Sequence, residues 1–257
     1  MKYFTWFPRK NLTSLDLKYA FIILNSGISN ERVVKLWNQA CYRVLVDGAA
    51  NNWFHLSQTK SDLFSKPAPS LVTGDFDSIC PKVREYYEKK VPNCEVICTP
   101  DQNLTDFAKS LLKIAEKIPN EEQLEAVYAY TEYGGRLDQI FGVFHALFQA
   151  TQIEGLPPVF LISPNSIDWV LAPGKHIIDL TSKPNSDLKE LDKCHCGIIP
   201  LGEPCNNVIT SGLKWNLSKG QTLSFGTSIS TGNKFISNIV EIKNESPLIW
   251  TMEIKKT

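Results

Sequence analysis

The sequence predicts an α/β chain in two parts. An N-terminal, mostly parallel sheet covered by helices is expected over residues 1–165, followed by a C-terminal antiparallel β-sandwich over 166–257. Three observations predict this. Short continuous apolar runs, typical of strands buried on both faces, alternate with helix-like segments through the first two-thirds of the chain. Beyond about residue 165 the helical period vanishes, and short segments rich in β-branched and aromatic residues follow between Gly, Pro, Asn and Ser. The 257 residues are 43% hydrophobic and 21% charged, enough to bury a core, which excludes disordered, collagen-like and coiled-coil classes.

Tyr19–Asn25 (YAFIILN) reads as the first buried strand, and Ser29 or Asn30 as the cap of a helix running to about Ala40. Tyr42–Val46 is the next strand, ending at Asp47-Gly48, and Ser70–Thr73 leads into Gly74-Asp75. Pro81 suits the first turn of a helix reaching about Lys89. Glu95–Thr99 is a strand. Leu104–Lys117 carries apolar residues at Leu104, Phe107, Ala108, Leu111, Leu112 and Ala115, a helical stripe ended by Pro119-Asn120. Ala126–Tyr130 is a strand, Leu137–Gln149 a strongly apolar helix, and Pro158–Ser163 a closing strand. Short links between alternating strands and helices predict a parallel sheet. Such sheets bind ligands at the carboxyl ends of their strands. Asp47, Asp75, Asp101 and Gly134-Gly135 all follow predicted strands, so they are expected on one edge. Further on, the expected strands are Asp168–Leu171, His176–Leu180, Cys196–Leu201, Val208–Thr210, Thr222–Phe225, Val240–Ile242 and Leu248–Ile254, with a polar loop over Thr181–Lys193.

Lys plus Arg total 27 and Asp plus Glu total 27, a net charge of zero that argues against a nucleic-acid-binding surface. The N-terminus lacks the apolar region and small-residue cleavage site of a signal peptide. No run approaches the ~18 apolar residues of a membrane span. The expectation is a cytoplasmic protein with no membrane partner. An odd count of 7 Cys fits reduced thiols. Cys194-His195-Cys196 invites a zinc reading, but no second ligand pair follows and Cys205 alone does not complete a site, so structural thiols are expected.

Three motifs carry chemistry. Val72-Thr-Gly-Asp75-Phe-Asp77-Ser78 places two carboxylates two residues apart; if the backbone stays extended, both face one side and suit a hard cation such as Mg²⁺ bridging to phosphates. Thr99-Pro-Asp101-Gln102-Asn-Leu-Thr105-Asp106-Phe-Ala-Lys109 crowds polar groups at a strand end, with Thr105 or Asn103 able to cap the helix and Asp106 and Lys109 one turn apart. Glu132-Tyr-Gly134-Gly135-Arg136-Leu-Asp138-Gln139 offers a glycine pair before a helix, an Arg able to fork onto phosphate and a further carboxylate. The usual phosphate-loop signatures are absent.

In this order, these motifs resemble the thiamin pyrophosphokinase family. The match runs through Asp47-Gly48-Ala49-Ala50-Asn51, Gly74-Asp75-Phe76-Asp77-Ser78, Asp101-Gln102-Asn103-Leu104-Thr105-Asp106-Phe107 and Gly134-Gly135-Arg136-Leu137-Asp138. It continues through Ser211-Gly212-Leu213-Lys214-Trp215-Asn216-Leu217, Ser230-Thr231-Gly232-Asn233 and Leu248-Ile249-Trp250. The resemblance implies an α/β catalytic domain with a β-sandwich thiamin-binding domain, and transfer of the diphosphoryl group of ATP to thiamin. It also implies a homodimer with thiamin at the subunit interface. Asp75, Asp77 and Asp106 would hold Mg²⁺, with Asp47 and Asp138 close by. Gln102, Arg136 and Lys109 would contact phosphates or substrate. Trp215 of the partner would stack on the thiamin pyrimidine beside Ser230 and Asn233. Asn103 stands where many relatives carry Asp, Gln139 where His is frequent, and Gly232 interrupts a Ser-Thr-Ser-Asn run. Two other readings compete: a Mg-dependent phosphohydrolase built on Asp75 and Asp77, and a non-catalytic thiamin-binding module.

Overall fold

The computed structural model describes residues 1–12, 16–29, 31–66, 68–117, 124–181 and 194–254. The chain divides into two compact units, Asp16–Pro164 and Met1–Leu15 with Asn165–Thr257. Strand β1 (Tyr3–Trp6) and the single turn α1 (Pro8–Asn11) therefore belong with the C-terminal unit, not with the α/β part expected over residues 1–165. The reason is pairing: β1 adds a parallel edge to a strand some 170 residues later, Tyr3 opposite Lys175 and Trp6 opposite Ile178.

The unit Asp16–Pro164 alternates strand and helix: β2 (Tyr19–Ile23), α2 (Glu31–Gln39), β3 (Tyr42–Val46), α3 (Ala49–Thr59), β4 (Leu71–Gly74), α4 (Pro81–Lys90), β5 (Glu95–Cys98), α5 (Asp106–Lys117), β6 (Ala126–Tyr130), α6 (Leu137–Ala150) and β7 (Val159–Ile162). All six strands are parallel, in the order β7-β6-β2-β3-β4-β5. Every residue of β2 and β6 is buried. Their continuous apolar composition thus reflects a sheet covered on both faces. The chain runs outward from β2 through β5, then returns to the other side of β2 with β6. That reversal is a topological switch point, where strand ends diverge and a ligand crevice opens.

Pro81 occupies the first turn of α4 as expected, and Thr105 Oγ1 caps α5 by accepting the Ala108 N–H at 3.1 Å. Ser29 donates its N–H to the Glu132 carboxylate at 2.6 Å. Asn30, the helix-ending Pro119-Asn120 and residues 182–193 of the expected polar loop lie outside the described residues. Helix α3 is an addition to the expected elements. Its Asn51 and Asn52 are poor helix formers, but Ala49, Ala50 and Trp53 bury one face, and both Asn side chains bond to other loops.

In the other unit, β8 (Ser166–Leu171), β14 (Leu248–Glu253), β10 (His195–Pro200) and β12 (Ser230–Lys234) form one antiparallel layer. In the second layer β9 (Gly174–Asp179) lies between β1 and β13 (Ile239–Asn244), and β11 (Ile209–Ser211) pairs with β13. Trp6 of one layer meets Trp169 of the other at 5.6 Å between ring centroids, and Trp169 meets Trp250 at 6.1 Å. The strand expected over Thr222–Phe225 is instead a pair of isolated bridges, Cys205 to Leu223 and Ser224 to Ser228, because the chain turns back at Gly226, whose φ is +85°. Among the described residues, no helix is long and apolar enough to cross a membrane.

Candidate active site

The loops after β2, β3, β4, β5 and β6 line a cleft of about 770 Å³ at the strand ends of the Asp16–Pro164 unit. On one wall stand Asp47, Asp75 and Asp77, which each offer a carboxylate oxygen within 4.8 Å of the other two. Asp47 directly follows β3 with a left-handed φ of 46°, and its N–H is held by Thr73 O at 2.9 Å. It is only 3% exposed. Burial pushes its carboxyl above the usual range, opposed by hydrogen bonds from Gly48 and Ser78. Its Oδ1 accepts the N–H groups of Ser78 and Ile79 at 3.3 and 3.2 Å.

The Asp75-Phe76-Asp77 segment is not extended. Phe76 adopts φ 66°, and the Arg84 guanidinium sits 4.6 Å over its ring. The turn brings the carboxylates together with backbone bonds of its own: Asp75 Oδ1 accepts the Asp77 N–H at 3.2 Å. The Gln102 amide donates to Asp75 Oδ2 at 3.1 Å and is the main reason this carboxyl lies below its ordinary value. The Ser78 hydroxyl donates to Asp77 at 2.6 Å. Asn51, on α3, braces the far end of the loop, donating to Ser78 O at 2.9 Å and accepting the Cys80 N–H at 2.8 Å.

Asp106 opens α5 beside this trio. Its Oδ1 accepts the Asp75 N–H at 3.2 Å and pairs with Lys109 Nζ at 2.8 Å. Asp101 was expected at the same edge; its Oδ1 accepts both the N–H and the side-chain amide of Asn103, at 2.8 and 2.9 Å, and it does not line the cleft.

Glu132, Arg136 and the loop Asn25-Ser26-Gly27 also line the cleft. Arg136 and Asp138, two residues apart, form an exposed ion pair; of the two, Arg136 lines the cleft. Glu132 accepts the Tyr130 hydroxyl at 2.7 Å and the Ser29 N–H, while its own N–H goes to Ser26 Oγ at 3.1 Å. Burial pushes the Glu132 carboxyl up, but the Tyr130 and Ser29 bonds outweigh it and leave it low. Glu132 and Asn51 sit inside motifs read from the sequence without a role; a side-chain contact to a backbone N–H or C=O leaves no spacing to read.

In the other unit Trp215 is 54% exposed, with Lys214 Nζ 4.7 Å from its ring centroid. Asn233, 2% exposed, accepts the Trp215 N–H at 3.1 Å and donates to Trp215 O at 2.9 Å. It also reaches Ser230 Oγ at 3.4 Å. The structure thus brings Trp215, Ser230 and Asn233 into one cluster, with Asn233 holding the backbone that presents the indole. Cys194, Cys196 and Cys205 are buried, and burial pushes the Cys196 thiol up to about 12.

The fold and the cleft define a class: a parallel α/β unit with a carboxylate-lined strand-end crevice, joined in one chain to an antiparallel β unit that presents an aromatic side chain. The chain belongs to the thiamin pyrophosphokinase family. The family model for "Thiamin pyrophosphokinase, catalytic domain" matches residues 33–156, and that for "Thiamin pyrophosphokinase, vitamin B1 binding domain" matches residues 175–249. Thiamine pyrophosphokinase 3 of Oryza sativa subsp. japonica is 32% identical over 92% of this chain and 87% of its own length. Thiamine pyrophosphokinase 2 of Arabidopsis thaliana is 31% identical over 93% of this chain and 88% of its own. The crystal structure of yeast thiamin pyrophosphokinase superposes with a TM-score of 0.80 at 22% identity, covering 98% of this chain and 91% of that one.

Proposed function

We propose that this chain is a thiamin pyrophosphokinase, moving the diphosphoryl group of ATP to the hydroxyl of thiamin and releasing AMP. The observation that carries the reading is the carboxylate trio Asp47, Asp75 and Asp77 at the switch-point crevice of a chain from this family. The trio fits Mg²⁺. Oxygens on opposite sides of such an ion lie about 4.2 Å apart, and one oxygen from each of these carboxylates lies within 4.8 Å of the others. Asp106 stands beside the trio with Oδ1 already shared, leaving its second oxygen to complete the set. Bound there, Mg²⁺ would supply charge neutralisation between carboxylates and ATP phosphates that otherwise repel.

The chain's own residues do the positioning. Gln102 orients Asp75. Arg136, exposed at the rim, forks onto phosphate oxygens once it leaves Asp138. The thiamin hydroxyl oxygen bonds to the β-phosphorus of ATP, the bond from that phosphorus to the AMP oxygen breaks, and the hydroxyl proton passes to a carboxylate of the Asp75–Asp77 pair. The thiazolium cation is drawn to the same acidic wall. Trp215 offers a π-face for the pyrimidine. An indole left more than half exposed supports a homodimer in which one copy's Trp215 serves its partner's site. Seven free thiols support a reducing, cytoplasmic setting. The phosphohydrolase reading is not favoured: Asp75 and Asp77 follow β4, with two strand–helix units of the sheet before it.

The experiment is product analysis. Purified protein with Mg-ATP and thiamin is expected to yield AMP and thiamin diphosphate in equal amounts, and Asp75→Asn to abolish turnover while the protein still melts cooperatively. ADP or inorganic phosphate as the product would sink the reading.

A further inference from the structure

We propose that Lys109 is a positioning residue that locks the β5–α5 segment against Asp75, and that it does not touch the phosphates. Its ammonium donates to Thr99 O at 2.6 Å, to Asp101 O at 3.0 Å and to Asp106 Oδ1 at 2.8 Å. An ammonium has three donors and no acceptor, so all three are engaged. Its side chain is 6% exposed. A phosphate could be reached only by breaking one of these bonds, at the cost of a charge-assisted hydrogen bond that a nearly buried ammonium already makes.

The three acceptors sit at chosen places. Thr99 and Asp101 lie just past the end of β5, and Asp106 is the first residue of α5. From its second helical turn Lys109 therefore ties both ends of residues 99–106 to one point. That segment grips Asp75 twice: Gln102 Nε2 donates to its Oδ2 at 3.1 Å, and Asp106 Oδ1 accepts its N–H at 3.2 Å. Asp106 Oδ1 is shared between the ammonium and the Asp75 amide, so the cation, the segment and Asp75 form one continuous bonded path. Lys109 thereby replaces a mobile loop with a fixed wall, and it sets where Asp75 stands in the trio. The inference rests on the reading of Asp75 as a site residue, but its first test does not.

That first test uses the wild-type protein without nucleotide or metal. Acetic anhydride labelling, read by peptide mass spectrometry, is expected to modify Lys109 more than about tenfold more slowly than Lys89, because reaction must await local opening; the Lys89 side chain is 70% exposed. The slow rate is expected to be unchanged by Mg-ATP. Ready labelling of Lys109 that Mg-ATP suppresses would overturn the proposal, whatever reaction the chain catalyses. The second test is a cycle of Lys109→Met, Asp106→Asn and the double variant. Lys109→Met is expected to lower kcat by about 10²-fold, the scale of a displaced catalytic group, with KM for Mg-ATP within about threefold of wild type. The double variant is expected to match the worse single variant, since both act along one path. Multiplying losses, or a raised KM with unchanged kcat, would refute it. Lys109→Arg, which keeps the charge but not the compact three-way geometry, repeats the cycle if the Met variant does not fold.

Discussion

Gly74→Ala asks whether the carboxylate trio depends on the close approach of two strand ends. A Cβ at position 74 would lie 2.7 Å from Asp47 Cβ, 3.2 Å from its Cα and 3.3 Å from its N. Ordinary contact begins at 3.4 Å, so reaching it separates the two Cβ atoms by 3.4 − 2.7 = 0.7 Å. The obstacle is the base of a side chain and its backbone, tied by Asp47 N–H to Thr73 O at 2.9 Å, and cannot swing aside as a long side chain would. Position 74 also has φ +153°, where side chains are rare. Overpacking of this kind costs about 1–3 kcal/mol. At about 2–4 °C per kcal/mol for a chain this size, the midpoint should fall by roughly 2–12 °C. The larger effect is on function: Asp47 and Asp75 flank the contact, and a shift approaching 1 Å lowers turnover by up to about 10²-fold. The assay is AMP release with thiamin and Mg-ATP, titrated with Mg²⁺, beside a melt of the metal-free protein. We expect kcat to fall at least about tenfold, more Mg²⁺ to be needed for half-saturation, and a lower midpoint. A lowered midpoint with wild-type turnover and Mg²⁺ dependence would mean that the strain relaxes away from the carboxylates, and the reasoning would fail.

Two further predictions concern the β unit. His176 accepts the Trp6 indole N–H at Nδ1, 3.0 Å away, pairs through Nε2 with Ala172 O at 2.8 Å, and stacks on Phe4. Both nitrogens are satisfied only in the neutral ring, and burial lowers its pKa from the ordinary 6.5. Its stabilising effect is therefore complete above 6.5 and lost as pH falls from there to the lowered folded value. Unfolding free energy should drop by up to about 1.4 kcal/mol per pH unit in that window, and His176→Gln should flatten the slope; an unchanged slope in the variant would exclude His176 as its source. Asn233→Ala removes the clamp on Trp215 and leaves part-buried backbone groups without their partner, at about 1–3 kcal/mol. Denaturant unfolding should register that loss, and KM for thiamin should rise with little change in KM for Mg-ATP. A thiamin KM equal to wild type would show that Trp215 needs no such anchor.

What could be read from the sequence tracks how local the cause is. β2, β6 and β7 stand out because a strand buried on both faces must be apolar at every position. α5 stands out because its stripe and its Thr105 cap are written within one segment. β1 does not, since four residues of YFTW become a strand only through β9, far along the chain. α3 does not, since its two Asn residues argue against a helix until Ser78, Cys80 and Ser26 take up their side chains. The site divides in the same way. Strand-end placement brought Asp47, Asp75, Asp77 and Asp106 to one edge, because topology alone decides it. Which three oxygens converge was hidden. An extended Asp75-Phe76-Asp77 would present both carboxylates to one side. The left-handed Phe76 and the bare Gly74 instead bring Asp47 into the set, and neither follows from Asp-x-Asp spacing.

The way these carboxylates are held also accounts for how a chain with zero net charge carries so acidic a crevice. Asp47 is held by the N–H groups of Ser78 and Ile79, Asp75 by an N–H and an amide, and Asp77 by a hydroxyl. These are dipoles: they orient an oxygen and ease its burial without cancelling its charge. Of the four acidic groups on this wall, Asp106 is the one whose ion pair appears among the described residues, with Lys109. Had each Asp been given a Lys, the crevice would have no charge left to offer a cation. Dipolar support keeps the trio fixed and negative together, at a cost visible in the raised carboxyl of Asp47. A crevice built so keeps its negative charge, which under the proposed function would favour the Mg²⁺ ion that accompanies ATP and a thiazolium ring alike.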